Sequence, residues 1–138
     1  MKSTTEWLGE AKFEAVGTRT DNKVLMEGPE SLGGTGEGQS PMEMLLHGVA
    51  GCMSIDIKHI LRHKFDDVKK LVVEVEGERQ EDYPQKFVKL DINVKVDGDV
   101  PGKDVLRAAE LSRDKYCSAV NSLSAEAEVH AYLNGTKL

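Results

Sequence analysis

The two cysteines, Cys52 and Cys117, are the residues of this sequence with the most informative chemistry. They stand 65 positions apart, and two cysteines are too few for the disulfide scaffold of a small secreted domain. A thiolate that cleaves a peroxide O–O bond becomes a sulfenic acid, with which a second thiol condenses to a disulfide. The pair therefore predicts redox chemistry if the fold brings the sulfurs together. A permanent disulfide, worth roughly 4 kcal/mol through chain entropy, is the structural alternative.

The neighbours of each cysteine add detail to that prediction. Cys52 follows small residues, Gly48 to Gly51, which leave room for a substrate or a second backbone. Cys117 follows Arg113 and Lys115 and precedes a short helix, so amide donors and cations are expected to lower its thiol pKa. Taken alone, each cysteine is also consistent with a buried structural residue.

A metal site is a second interpretation of the same region. Cys52, Asp56, His59 and His63 follow at helical steps of four, three and four, which places them on one helix face. A rigid helix seldom surrounds a tetrahedral ion from consecutive turns, and no Cys-x-x-Cys or His-Glu-x-x-His spacing is present. We therefore expect no bound metal. The glycine-rich segment before residue 40 also lacks the Gly-Lys-Ser/Thr ending of a phosphate-binding loop.

Hydrophobic periodicity predicts an α+β fold in a single domain, residues 1–138. Alternation of apolar and polar residues predicts strands at 7–16, 23–27, 70–79, 87–96 and 126–133. Helices are predicted at 41–64, 101–116 and 117–123. Five glycines and a proline make 28–39 a loop, and Ser40, Pro41 and Glu43 form a capping box that begins the long helix.

The predicted helix 41–64 is apolar around most of its circumference, unlike a helix with one buried face. A chain of this length has few elements to surround such a helix. A second copy of the chain is therefore the expected source of the missing cover.

Charge and hydropathy exclude several classes of partner. The net charge is −6 and the isoelectric point is near 5.2, which disfavours nucleic acid and anionic lipid. No apolar run approaches the roughly 18 residues of a membrane span, and the N-terminus has no apolar core. We expect a cytoplasmic protein with no nucleic-acid or membrane partner.

Two segments together carry a family resemblance. The first is a glycine-rich loop, a polar-Pro-acidic helix start and a cysteine about three turns later, in Leu32-Gly33-Gly34-Thr35-Gly36-Glu37-Gly38-Gln39-Ser40-Pro41 through Cys52. The second is a cysteine opening a helix with a leucine six residues on, in Tyr116-Cys117-Ser118-Ala119-Val120 through Leu123. In this order and at this distance, they resemble the OsmC and organic hydroperoxide resistance family.

The resemblance implies antiparallel sheets around a long buried helix, in an intertwined homodimer with its sites at the subunit interface. It implies a two-cysteine peroxidase that reduces organic hydroperoxides without a bound cofactor. By position, Cys52 corresponds to the peroxidatic cysteine and Cys117 to the resolving one, and a cellular dithiol is the external reductant. Arg19 is the early arginine that would stabilise the thiolate.

One departure from the hydroperoxide resistance pattern affects the site. Residue 42 is methionine where that branch has a glutamate that pairs with the arginine, and Glu43 follows one place later. A shift of one residue turns a helical side chain by 100°. Glu43 is thus a candidate for either the site or the capping box alone. The alternative function is a redox-inert or sensory OsmC-like module that binds a small apolar ligand or thiol between subunits.

Overall fold

The computed structural model describes residues 1–138 and divides into two units, Met1–Leu45 and Leu46–Leu138. The first unit contains a three-stranded sheet and a glycine-rich loop. The second contains a four-stranded sheet and the helical segments between its strands. The longest helix begins in the first unit and continues in the second.

The first sheet is antiparallel, with strands β1 (Ser3–Gly9), β2 (Lys12–Gly17) and β3 (Lys23–Glu27) in that order. The predicted strand 23–27 is confirmed. The prediction of one continuous strand at 7–16 is wrong, because the chain turns between β1 and β2. Gly9 and Glu10 both have positive φ there, 113° and 47°, and glycine adopts that conformation at little energetic cost.

The glycine loop, residues 28–39, is organised by the carboxylate at the end of β3. Buried Glu27 accepts hydrogen bonds from the Thr35 hydroxyl at 2.9 Å and from the backbone N–H groups of Thr35, Glu37 and Gly38 at 3.2, 2.7 and 2.9 Å. These bonds, led by the one from Gly38, lower the Glu27 pKa to about 2 despite the opposing effect of burial. The loop thus folds around an anion that the chain itself supplies.

Helix α1 (Pro41–Ile60) begins where the capping box predicted. The Ser40 N–H donates to Glu43 Oε2 at 2.9 Å, and the Glu43 N–H donates to Ser40 Oγ at 3.2 Å. The helix ends at Ile60, four residues before the predicted end. Its buried residues form a single i, i+4, i+8 row, Val49, Met53 and Ile57.

The opposite side of α1 stays uncovered in a single chain. Ile55 is 71% exposed, and Gly48 and Gly51 are exposed beside it. A largely apolar helix thus buries only one face within its own chain.

The second sheet contains β4 (Val68–Arg79), β5 (Phe87–Gly98), β6 (Glu126–Leu133) and β7 (Thr136–Lys137). The three longer strands lie within two residues of their predicted bounds. One face of β5 is fully buried and supplies much of the core, with Leu90, Ile92, Val94 and Val96. The α+β class is therefore confirmed.

The pairing of β5 with β6 is parallel, whereas β4–β5 and β6–β7 are antiparallel. The expectation of antiparallel sheets is thus met by the first sheet and corrected to a mixed second sheet. A parallel pair requires a crossover connection, usually helical. Here the crossover contains α2 (Gly102–Leu111), a π-helical turn (Ser112–Tyr116) and α3 (Ser118–Asn121). The predicted helices 101–116 and 117–123 fall in this segment.

Candidate active site

The second unit brings the two cysteines together. Cys52 comes from the middle of α1, and Cys117 is the N-cap residue of α3. Their sulfurs and a carboxylate oxygen of Asp56 all lie within 4.8 Å of one another. Both cysteines are free thiols. Redox chemistry between the two cysteines requires their sulfurs to be close, and the fold of a single chain brings them close.

Helix α1 positions two of the three groups. Cys52 and Asp56 are one helical turn apart, and residues at i and i+4 lie on the same face. Both are half-buried, next to the fully buried row that contains Met53. The helix thus holds a thiol and a carboxylate side by side at the edge of the core.

The π-helical turn positions the third group. The Cys117 N–H donates to the Ser112 carbonyl oxygen at 2.8 Å, five residues back, so the chain makes one wide turn before α3. The Ser112 side chain is fully buried and donates from Oγ to Asp56 Oδ2 at 2.9 Å. A hydrogen bond therefore connects the turn that precedes Cys117 with the helix that contains Cys52.

The interior location of Cys117 controls its acidity. Its side chain is fully buried, and that burial is the main reason its thiol pKa rises to about 11. The neighbouring Cys52 side chain raises this pKa further. The Val120 N–H, 3.4 Å from the sulfur, and the Ala119 N–H oppose the rise only in part. Cys117 is therefore a neutral thiol at pH 7.

This result overturns the expectation that the flanking cations would lower the Cys117 pKa. Arg113 is paired with its neighbour Asp114, with Nε 2.6 Å from Oδ1. Lys115 is exposed, with its ammonium group 5.4 Å from the centre of the Tyr116 ring. The amide donors lie where the sequence predicted, but desolvation outweighs them.

The other two predicted site residues belong to the first unit. Arg19 is exposed between β2 and β3, and Glu43 is an exposed residue of the capping box. The capping-box interpretation of Glu43 is thus confirmed. The roles of Arg19 and Glu43 in the site stay predictions.

The possible metal ligands near the thiols differ from the four residues that the sequence placed along one face of the helix. The carboxylate of Asp56 joins the two cysteines, whereas His59 and His63 are exposed further along α1 and its end. A second cluster of possible metal ligands lies on β5 and β6, where Asp91, Glu128 and His130 meet. In this cluster, His130 Nε2 lies 3.7 Å from Asp91 Oδ2.

A cavity of about 420 Å³ opens beside Asp56. Its apolar lining comes from Ile55, Ile60, Leu111 and Tyr116. Asp56 and Arg62 are among its polar groups. An apolar molecule with one polar end is the kind of ligand that this lining accommodates.

Sequence reasoning missed two residues of this site. Asp56 was considered only as a metal ligand, and Ser112 was not singled out. The available signal was a carboxylate one turn after a cysteine within an otherwise apolar stretch of helix, since a buried charge needs a partner.

No helix of the chain is both long enough and apolar enough to cross a membrane.

The fold and the paired thiols define an α+β protein with a two-cysteine site, and comparison with known proteins identifies its family. The model of the OsmC-like protein family matches residues 34–131. The chain is 31% identical over 134 residues to Protein YhfA of Escherichia coli (strain K12), covering 96% of each. The chain therefore belongs to the OsmC-like family.

Solved structures share the fold of this chain. A hypothetical protein from Aquifex aeolicus VF5 superposes with a TM-score of 0.82 at 25% identity, covering 96% of this chain and 95% of that one. An organic hydroperoxide resistance protein OsmC from Legionella pneumophila superposes with a TM-score of 0.64 at 16% identity, covering 96% and 94%. The second likeness shows a shared fold.

Proposed function

We propose that the protein is a thiol peroxidase that reduces organic hydroperoxides through a cycle of Cys52 and Cys117. The observation that carries the proposal is the distance of at most 4.8 Å between the two sulfurs. A disulfide requires an S–S distance of about 2.05 Å, so the sulfurs need to approach by roughly 3 Å at most. Side-chain rotation supplies a movement of that size without unfolding either helix.

The two thiols differ in the way that such a cycle requires. Cys52 is half-buried in the single chain, whereas Cys117 is fully buried. Burial raises the pKa of the Cys117 thiol to about 11, so this thiol stays protonated at pH 7. Because thiolates attack peroxides and thiols do not, Cys52 takes the peroxidatic role and Cys117 the resolving role.

The Asp56 carboxylate brings a negative charge into the proposed active site. This carboxylate lies within 4.8 Å of both sulfurs, so the proposed cycle calls for a cation that balances its charge beside Cys52. We assign that role to Arg19, as the family resemblance implies. Glu43 is then the carboxylate that would orient this arginine in place of the glutamate absent at Met42.

We further propose that the working protein is a homodimer. The support is the uncovered face of α1, where Ile55 is 71% exposed beside Gly48 and Gly51. Sedimentation at micromolar concentration is expected to give one species of twice the chain mass of 15.2 kDa. A stable monomer would contradict the homodimer.

The proposed substrate is an organic hydroperoxide, because the cavity beside Asp56 has an apolar lining that can hold an alkyl or aryl group. A cellular dithiol is the proposed reductant, and the cytoplasm, where such reductants are maintained, is the proposed location. The cycle requires no bound cofactor, because sulfur supplies both electrons.

A stoichiometric oxidation tests the proposed function. Fully reduced protein treated with one equivalent of cumene hydroperoxide is expected to lose two hydrogen masses as Cys52 and Cys117 pair, while one equivalent of cumyl alcohol appears. Added dithiothreitol should restore both thiols and permit further turnovers. Protein that leaves the hydroperoxide unconsumed with every dithiol tried would refute the peroxidase assignment.

One observation favours the alternative, a redox-inert module that binds a small apolar ligand. The cavity beside Asp56 can serve as a binding pocket without any chemistry. Under this alternative, native mass spectra would show a retained ligand, and the two thiols would stay unpaired after hydroperoxide treatment.

A further inference from the structure

We propose that Asp56 accepts the proton of Cys117 in the step that forms the disulfide and passes it to the departing hydroxyl group. This inference rests on the proposed peroxidase function and deepens it. It assigns chemistry to a residue that neither the peroxidatic nor the resolving role uses.

The geometry meets the requirement of a proton carrier between the two sulfurs. A carboxylate oxygen of Asp56 lies within 4.8 Å of both sulfurs. One bridging water spans such a distance with two hydrogen bonds of about 2.8 Å. The hydrogen bond from fully buried Ser112 holds the carboxylate in place at 2.9 Å.

The resolving thiol needs such an acceptor. Burial and the neighbouring Cys52 hold the pKa of Cys117 near 11, so the free thiolate is scarce at pH 7. From α1, the titratable groups that face its sulfur are Cys52 and Asp56. On its own segment the charged side chains are Arg113 and Asp114, which pair with each other, and the exposed Lys115. Asp56 is therefore the base positioned for this proton.

The step balances without another reactant. The Cys117 sulfur attacks the Cys52 sulfenic sulfur, the S–S bond forms, and the S–O bond breaks. The thiol proton moves to the Asp56 carboxylate and then to the leaving hydroxide, which departs as water. Asp56 regains its charge, and the two electrons accepted by the hydroperoxide have come from the two sulfurs.

Replacing the carboxylate separates the two half-reactions. In Asp56→Asn, a negative charge is removed from beside Cys52, so oxidation by one equivalent of cumene hydroperoxide should be as fast as in the wild type or faster. Condensation to the disulfide should slow by at least about 100-fold, the usual contribution of a general base. Sulfenic acid trapped by dimedone and disulfide measured by mass follow the two steps separately.

The pH profile distinguishes a lost base from a disturbed scaffold. Without Asp56, condensation depends on the Cys117 thiolate, so its rate in Asp56→Asn should rise about tenfold per pH unit from pH 7 to 9, below the pKa of about 11. The wild-type rate should rise much less over that range. A purely structural defect would leave the variant slow at every pH.

Two further variants complete the test. Glu110→Gln removes an exposed carboxylate from α2 and should leave both rates unchanged. Ser112→Ala keeps the carboxylate but removes its anchor, so condensation alone should slow, by less than in Asp56→Asn. Condensation at the wild-type rate in Asp56→Asn, or equal slowing of both steps, would overturn the role. A wild type that forms no sulfenic acid would overturn the peroxidase function itself and this role with it.

Discussion

Cys52→Ser is expected to reduce hydroperoxide consumption to the uncatalysed level, a loss of at least about 1000-fold. The serine hydroxyl stays protonated at neutral pH and cannot attack the O–O bond. Cys117→Ser retains the attacking thiolate, so its first oxidation should proceed at the wild-type rate. The sulfenic acid then has no internal partner and should persist, or advance to sulfinic acid when hydroperoxide is in excess.

Stopped-flow consumption of cumene hydroperoxide and intact-protein mass measure both results. Ser118→Ala, an exposed residue directly after Cys117, is the control and should behave as the wild type. The assignment of roles fails if Cys117→Ser loses the first oxidation while Cys52→Ser keeps it. It also fails if both variants consume hydroperoxide normally.

Glu27→Gln, at the end of β3, is expected to destabilise the glycine loop that folds around this carboxylate. The amide offers one acceptor oxygen where the carboxylate offers two, and its NH₂ group faces backbone donors that then lack a partner. We expect at least about a tenfold rise in the rate of proteolytic cleavage within residues 28–39 at pH 7. Glu30→Gln, which changes an exposed carboxylate in the same loop, should leave that rate unchanged.

The pH dependence of this effect follows from the direction of the pKa shift. The pKa of Glu27 falls from an ordinary value of 4.5 to about 2 on folding, so its stabilisation is fully present above pH 4.5. Stabilisation is lost as the pH falls from 4.5 towards 2. The melting temperatures of wild type and Glu27→Gln should therefore differ most near neutral pH and converge near pH 2. A constant difference from pH 7 to pH 2 would contradict the carboxylate's role.

The elements with clear local signals were predictable from the sequence. Strict alternation located β4 and β5, and the capping box located the start of α1. The turn at Gly9 and Glu10 was missed because alternation continues on both sides of it. The parallel pairing of β6 was also missed, since strand direction depends on the long crossover and not on the strand's own residues.

The candidate site was predictable in part. The pairing of Cys52 with Cys117 followed from the resemblance and from redox logic, and their proximity agrees with it. The acidity of Cys117 was mispredicted because sequence shows the flanking charges but not the depth of burial. Asp56 and Ser112 were not predicted as residues of the thiol site, because their hydrogen bond joins positions 56 residues apart.

In the proposed cycle, the unequal burial of the two cysteines would determine how the oxidised protein is reduced again. We expect a dithiol to attack half-buried Cys52, so that the mixed disulfide forms there and fully buried Cys117 is the leaving group. Thiols of high pKa leave slowly in thiol–disulfide exchange, and Cys117 has a pKa of about 11. Regeneration by the dithiol, and not encounter with the oxidant, is therefore the step expected to limit steady-state turnover.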